Sequence, residues 1–190
     1  TLAGENVTAA SVGHRREMGL AYIPEDRHHE GSGPNLSVAE NIAATHLSPP
    51  VANKGVLSIT AMKQFAATLI ARFDVRGANP DTVISTLSGG NMQKVIIARE
   101  FSSEPHLLMV SQPTRGVDVG AMEFVHNSIV AARDAGAGVL LFSADLNEVM
   151  SKVLAGGDRM KKTNLGGVKA AAEILNMMGT AVETSVLDFV

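Results

Sequence analysis

Apolar positions along this chain follow two patterns: short unbroken runs, and longer stretches where they recur every three or four residues. The runs are MGLAYIP at 18–24, LLMV at 107–110 and VLLF at 139–142, each short and bounded by turn residues, and each reads as a strand. Helical spacing predicts a helix over 60–73, with Met62, Phe65, Ala66, Leu69, Ile70 and Phe73 on one side. A second covers 91–101, with Val95, Ile96 and Ala98 as core candidates. A third covers 120–135, where Ala121, Phe124, Val125, Ser128, Ile129 and Ala132 share a face and Gly136 follows the end. Strand 107–110, helix 120–135 and strand 139–142 predict a right-handed βαβ unit in a buried parallel sheet.

Polar punctuation completes the outline. The polar segment 25–34 is a turn-rich loop, and 48–55 is a proline-containing loop. Ser37 and Glu40 have the spacing of a capping box and open a short helix through residue 45. Thr180 and Glu183 repeat that spacing before an apolar set of Val182, Val186, Leu187 and Val190, following an alanine-rich helix at 168–178. That capped helix is cut in mid-pattern, and the amino-terminal stretch has neither a Met start nor the order of a signal peptide, so a fragment is expected.

Composition narrows the class. Of 190 residues 45% are hydrophobic and 18% charged, which fits a globular chain. A net charge of −3 gives no reason to expect nucleic acid as a partner. With no cysteine there are no disulfides or thiolate metal sites, and no apolar run is long enough to span a membrane. His28, His29, His46, His106 and His126 lack metal-ligand spacing and read as surface or core residues; no metal site is expected.

One stretch carries chemistry. LSGGNMQK, from Leu87 to Lys94, places Ser88, Gly89 and Gly90 at the start of a helix, where the backbone can approach a phosphate and the helix N-terminus favours an anion. Yet no G-x-x-x-x-G-K-[ST] loop occurs anywhere in the chain. The octet resembles the signature motif of ATP-binding-cassette (ABC) ATPases, in the form found in sugar and nucleoside importers. Further segments follow in that family's order. PTRGVD at 113–118 resembles the passage from Walker B into the D-loop, MGLAYIPEDR at 18–27 the Q-loop region with Glu25 in the glutamine position, and FSADLNEV at 142–149 the switch-histidine strand. LSVAENI at 36–42 belongs to the same subfamily.

This resemblance covers residues 1–149. It implies an α/β, incomplete P-loop NTPase (ABC ATPase) domain that lacks the Walker A segment and carries a helical subdomain at about 36–90. The binding residues it implies are Leu87, Ser88, Gly89, Gly90, Asn91, Gln93, Asp118 and Glu25. The catalytic positions are degenerate: Ser111 and Gln112 stand where an active cassette has Asp and Glu, and Ala144 stands at the switch histidine. Neither Ser111 nor Gln112 carries the charge that Mg2+ or a general base requires, so the chain alone should not hydrolyse ATP. Cassettes pair head to tail. The resemblance therefore implies the second, degenerate cassette of a BMP-family sugar/nucleoside importer, whose signature caps ATP and Mg2+ held by a partner cassette's Walker A loop. Implied partners are that cassette and transmembrane permease subunits, at the cytoplasmic face of the bacterial cell membrane. The missing strand would leave a sheet edge open and stability marginal.

From about Leu146 the chain resembles the flagellar motor-switch protein FliG instead: the end of its middle domain, a Gly166-Gly167 linker and the helix that follows. That implies an all-α carboxy-terminal tail at 150–190, whose segment 161–190 would contact flagellar switch proteins. LNEV at 146–149 suits either parent, which suggests a recombination joint, and Val182, Val186 and Leu187 are expected to be poorly packed. Three readings stand: an importer cassette, a protein-interaction module, and a chimera without a selected role.

Overall fold

The computed structural model describes residues 1–46, 49–53 and 56–144. Helix α1 (Val12–Glu17) is capped by Ser11 and leads into strand β1 (Leu20–Ile23). Helix α2 (Val38–Ala43), strands β2 (Ala52–Asn53) and β3 (Val56–Leu57), helix α3 (Ile59–Arg72) and a 3-10 turn at Ile84–Thr86 form the helical region. Helix α4 (Gly89–Phe101), strand β4 (Leu107–Ser111), helix α5 (Val119–Asp134) and strand β5 (Gly138–Phe142) complete the described chain.

β4 is central. It pairs in parallel with β1, from Leu20 opposite Leu107 to Ile23 opposite Val110, and with β5, from Leu107 opposite Gly138 to Ser111 opposite Phe142. Parallel strands need a crossover between them, and α5 supplies it for β4 and β5. Ala21, Ile23, Leu108 and Val110 are fully buried, while Tyr22, Leu140 and Phe142 on the other face are 38%, 45% and 51% exposed. The expected sheet buried on both faces is therefore covered on one face only among the described residues. β1 and β5 are its two edges.

The core lies between that face and the helices. Met62, Ala66 and Leu69 of α3 and Phe73 at its C-cap are buried as their spacing predicts, and so are Ala121, Val125, Ile129 and Ala132 of α5. On α4, Val95, Ile96 and Ala98 are buried, but so is nearly every residue from Met92 to Glu100, because α4 packs against α2, α3, α5 and β1 together. Ser37 and Glu40 make the expected capping box: Ser37 N–H donates to Glu40 Oε2 at 2.7 Å and Glu40 N–H to Ser37 Oγ at 3.2 Å.

Three boundaries differ from expectation. α1 was not predicted, for it buries none of its own residues and shows no apolar stripe. The 48–55 loop contains β2, paired antiparallel with β3 just beyond it. Gly89 and Gly90 are the first helical residues of α4, not a turn ahead of it. The joint at 146–149, the Gly166-Gly167 linker, the helices at 168–178 and 180–190, and the packing of Val182, Val186 and Leu187 lie outside the described residues.

Candidate functional site

The signature turn is built from its anchor outward. Ile84 is fully buried in the 3-10 turn and Leu87 packs half-buried against the core, which presents Ser88 at the surface. Ser88 is the N-cap of the 13-residue helix α4, with extended backbone at φ −61 and ψ 154. Its Oγ accepts from Asn91 N–H at 3.4 Å and from Asn91 Nδ2 at 3.0 Å. A hydroxyl oxygen has two acceptor sites and one hydrogen. With both sites turned towards Asn91, the hydrogen is left to donate outward, at a helix end that favours negative charge. Asn91 is itself held, because its Oδ1 accepts from Arg76 N–H at 2.9 Å.

Asp118 is brought to the same place from 30 residues beyond Ser88 by capping α5, where its Oδ1 accepts from Ala121 N–H at 2.9 Å. The two helix starts nearly touch. A methyl group on Gly90 would lie 2.9 Å from both the Ala121 Cβ and Asp118 Oδ2, so only glycine fits there. A cleft of about 470 Å3 opens beside them, lined by Asp74, Asn91, Lys94, Asp118, Glu123 and Phe124 among others. Lys94 Nζ donates to the Asp74 carbonyl at 2.7 Å and stands 3.3 Å from Asp74 Oδ2, which together with Arg76 holds the Asp74 carboxyl below its ordinary value. Gln93 differs from its neighbours: it is 3% exposed and faces the interior.

A second cleft, about 570 Å3, lies at the carboxyl ends of β1 and β4, lined by Tyr22, Glu25, Asp26, Arg27, Ser111 and Arg115 among others. Glu25 forms an ion pair with Arg115. Asp26 is held down to about 2, chiefly by the backbone N–H of His29 and then by the His29 side chain. Gln112 has φ +45, donates its N–H to the Phe142 carbonyl at 2.8 Å and accepts from Ala144 N–H at its Oε1. Ser111, Gln112 and Ala144 thus converge on the same strand ends. The donor set there does not suit a divalent cation: Ser111 offers a hydroxyl, the Gln112 oxygen is engaged, the Glu25 charge is already matched by Arg115, and the Asp26 carboxylate is taken up by the His28 and His29 backbone N–H groups and the His29 ring.

The structure brings Ser88, Gly89, Gly90 and Asn91 together with Asp118, and places Glu25 and Ser111 in the lining of the second cleft, with Gln112 and Ala144 bonded to each other at the neighbouring strand ends. Between the two runs a residue that the sequence did not single out. Arg27 donates from Nη1 to the Arg115 carbonyl at 2.8 Å and from Nη2 to the Gly116 carbonyl at 2.9 Å. Its position next to Glu25 was the available signal, but its acceptors are 88 and 89 residues away.

Residues 1–115 match the family described as ABC transporter. Among curated proteins, the chain is 47% identical to the nucleoside import ATP-binding protein NupA of Lactococcus lactis, over 76% of this chain and 27% of that protein. It is 42% identical to the guanosine import ATP-binding protein NupO of Bacillus subtilis, over 80% of this chain and 30% of that one. It is 38% identical to the arabinose import ATP-binding protein AraG 2 of Burkholderia thailandensis, over 90% of this chain and 33% of that one. The chain therefore spans about a third or less of the length of these relatives. The last alignment is too long to stop at residue 149. Among solved structures, a nucleotide-free ATP-binding cassette from an ABC transporter superposes with a TM-score of 0.58 at 17% identity, covering 78% of this chain and 60% of that one. A dimeric post-hydrolysis cassette bound to ADP and phosphate gives 0.54 at 20% identity, covering 68% and 53%.

Proposed function

The chain belongs to the ABC transporter family, and from that premise we propose that it is a degenerate cassette which completes another cassette's ATP site rather than one of its own. One observation carries the reading. Ser88 is an exposed N-cap whose two acceptor positions face Asn91, so its hydrogen is available to a phosphate oxygen arriving from outside. Ser88 and the first backbone N–H groups of α4 would donate to the γ-phosphate of ATP, and Asp118 would face the opposite cassette. ATP and its Mg2+ would be held by the partner's Walker A loop, where the metal supplies charge neutralisation at the phosphates. The donor set at Ser111, Gln112 and Glu25 argues against a second magnesium site in this chain.

The same reading makes the chain an ATP-binding part of a sugar or nucleoside importer, working with membrane permease subunits at the cytoplasmic face. The names of the three relatives, all import ATP-binding proteins, support that assignment. None of the described helices is long and apolar enough to cross a membrane. The three relatives named above lend no support to the flagellar resemblance of residues 146–190, and the importer reading does not depend on it.

The test is to mix the full chain with a separate cassette that bears a Walker A loop and to follow phosphate release from ATP. Stimulation that Ser88→Ala lowers about a hundredfold, the effect of removing one transition-state donor, supports the reading. No stimulation by the wild-type chain, or equal stimulation by Ser88→Ala, overturns it.

A further inference from the structure

Arg27 touches two segments that are far from it in sequence. Its fork of donors holds the Arg115 and Gly116 carbonyls, in the loop that ends at Asp118. Its guanidinium runs beneath the signature turn, so that a methyl group on Gly89 would lie 2.9 Å from Nη2 and 3.5 Å from Nε. Its own backbone is fixed from behind: Ser32 Oγ donates to the Arg27 carbonyl at 2.7 Å, and a methyl on Gly31 would lie 2.9 Å from the Arg27 Cα. Nε is buried with no hydrogen-bond partner, the expected cost of placing the planar group where both Nη atoms reach a carbonyl. The Glu25–Arg115 ion pair ties the same two loops a second time.

We infer that Arg27 is a positioning residue, a strut that couples the signature turn at Gly89 to the loop carrying Asp118, so that displacement of one moves the other. The inference rests on the reading that Ser88 meets a partner's phosphate and Asp118 a partner's surface. It adds that the two contacts are not independent. The bidentate fork is the operative feature. A lysine has a single nitrogen and cannot hold two successive carbonyls in a fixed plane. A merely space-filling role would be met by lysine or methionine.

The experiment is hydrogen exchange on the full chain without a partner, comparing amides at 88–93 and 114–119 in wild type, Arg27→Lys, Arg27→Met, Gly89→Ala and Gly89→Ala/Arg27→Met. Loss of two charge-assisted bonds should speed exchange in both segments by about tenfold or more in both Arg27 variants, with the α3 amides unchanged. Gly89→Ala, which pushes on the guanidinium, should speed exchange at 114–119 in the wild-type background and add nothing there in Arg27→Met. A change confined to one segment, rescue by Arg27→Lys, or an equal effect of Gly89→Ala in both backgrounds overturns the strut. If Arg27→Met also loses α3 protection, the comparison of Gly89→Ala with Arg27→Lys decides: the same two segments must respond in each. Because no partner is present, this result stands apart from the Ser88 stimulation test, and each idea fails on its own measurement.

Discussion

The backbone N–H of Ala144 donates to Oε1 of Gln112 at 3.1 Å, joining two positions 32 residues apart. These are the two places where an active cassette is expected to carry its switch histidine and its catalytic glutamate. Here the amide side chain closes a local bond instead. Restoring the charges with Ser111→Asp, Gln112→Glu and Ala144→His should still leave these 190 residues by themselves without ATP hydrolysis, because they contain no G-x-x-x-x-G-K-[ST] stretch to hold the phosphates. Phosphate release above background from this triple variant, measured without a partner cassette, would contradict that.

Asn91→Asp separates stability from function. The new carboxylate accepts where the amide donated, so the Ser88 hydrogen turns inward to it and is lost to an incoming phosphate. The added negative charge near the start of α4 favours the helix by about 0.3–1 kcal/mol. The variant should therefore unfold at an equal or higher urea midpoint while its stimulation of a Walker-A-bearing cassette falls tenfold or more.

Gly90→Ala sets two effects against each other. Alanine gains about 1 kcal/mol of helix propensity over glycine. The methyl would be 2.9 Å from the Ala121 Cβ, which is fixed on α5, and from the Asp118 cap. Overpacking of that kind costs about 1–3 kcal/mol, so urea denaturation should show a net loss. At Gly89 the nearest atoms belong to the end of the Arg27 side chain, which can shift, and Gly89→Ala should cost less in the same measurement.

Glu100 is the most deeply buried charged side chain among the described residues. Its side chain is fully enclosed and accepts from Arg16 Nη1 at 2.9 Å, Arg99 Nε at 2.8 Å and the backbone N–H of Tyr22 at 3.1 Å. It thereby fastens α4 to α1 and β1. Glu100→Ala leaves the largely buried Arg99 unpaired and should cost about 3–5 kcal/mol by urea denaturation. Glu100→Gln keeps an acceptor for Tyr22 N–H and should cost less.

Acid should loosen the region around His46. Burial pushes the His46 imidazole below its ordinary value; the Ile42 carbonyl, 3.1 Å from Nδ1, and the Glu100 charge pull the other way, and Arg99 and Arg16 add to the lowering. The folded state binds this proton less readily than the unfolded chain does. His46 therefore contributes stability that is present above its unfolded value of about 6.5 and is lost as pH falls through the lower folded value. Thermal midpoints should fall between pH 7.5 and 5.5, and His46→Gln should flatten that slope. An unchanged slope in His46→Gln would remove His46 as the cause.

The sequence by itself determined the periodic parts. Three apolar runs became β1, β4 and β5, and the helical stripes became α3, α4 and α5, because burial of one face repeats with the geometry of the backbone and can be read over a short window. Caps were equally legible, since Ser37 and Glu40 satisfy each other within a single turn. What escaped was short or distant. α1 buries nothing, and two-residue β2 and β3 leave no period to detect. Glu100 looked like any polar position on a helix until α1, β1 and Arg99 closed around it. Ser88, Gly90 and Asp118 were visible as residues, but only the packing of α4 on α5 brought the two caps into contact. Arg27 had no local sign of its role beyond its place close to Glu25, because its acceptors lie 88 and 89 residues away and hydrogen bonds of that reach exist only once the tertiary structure has formed.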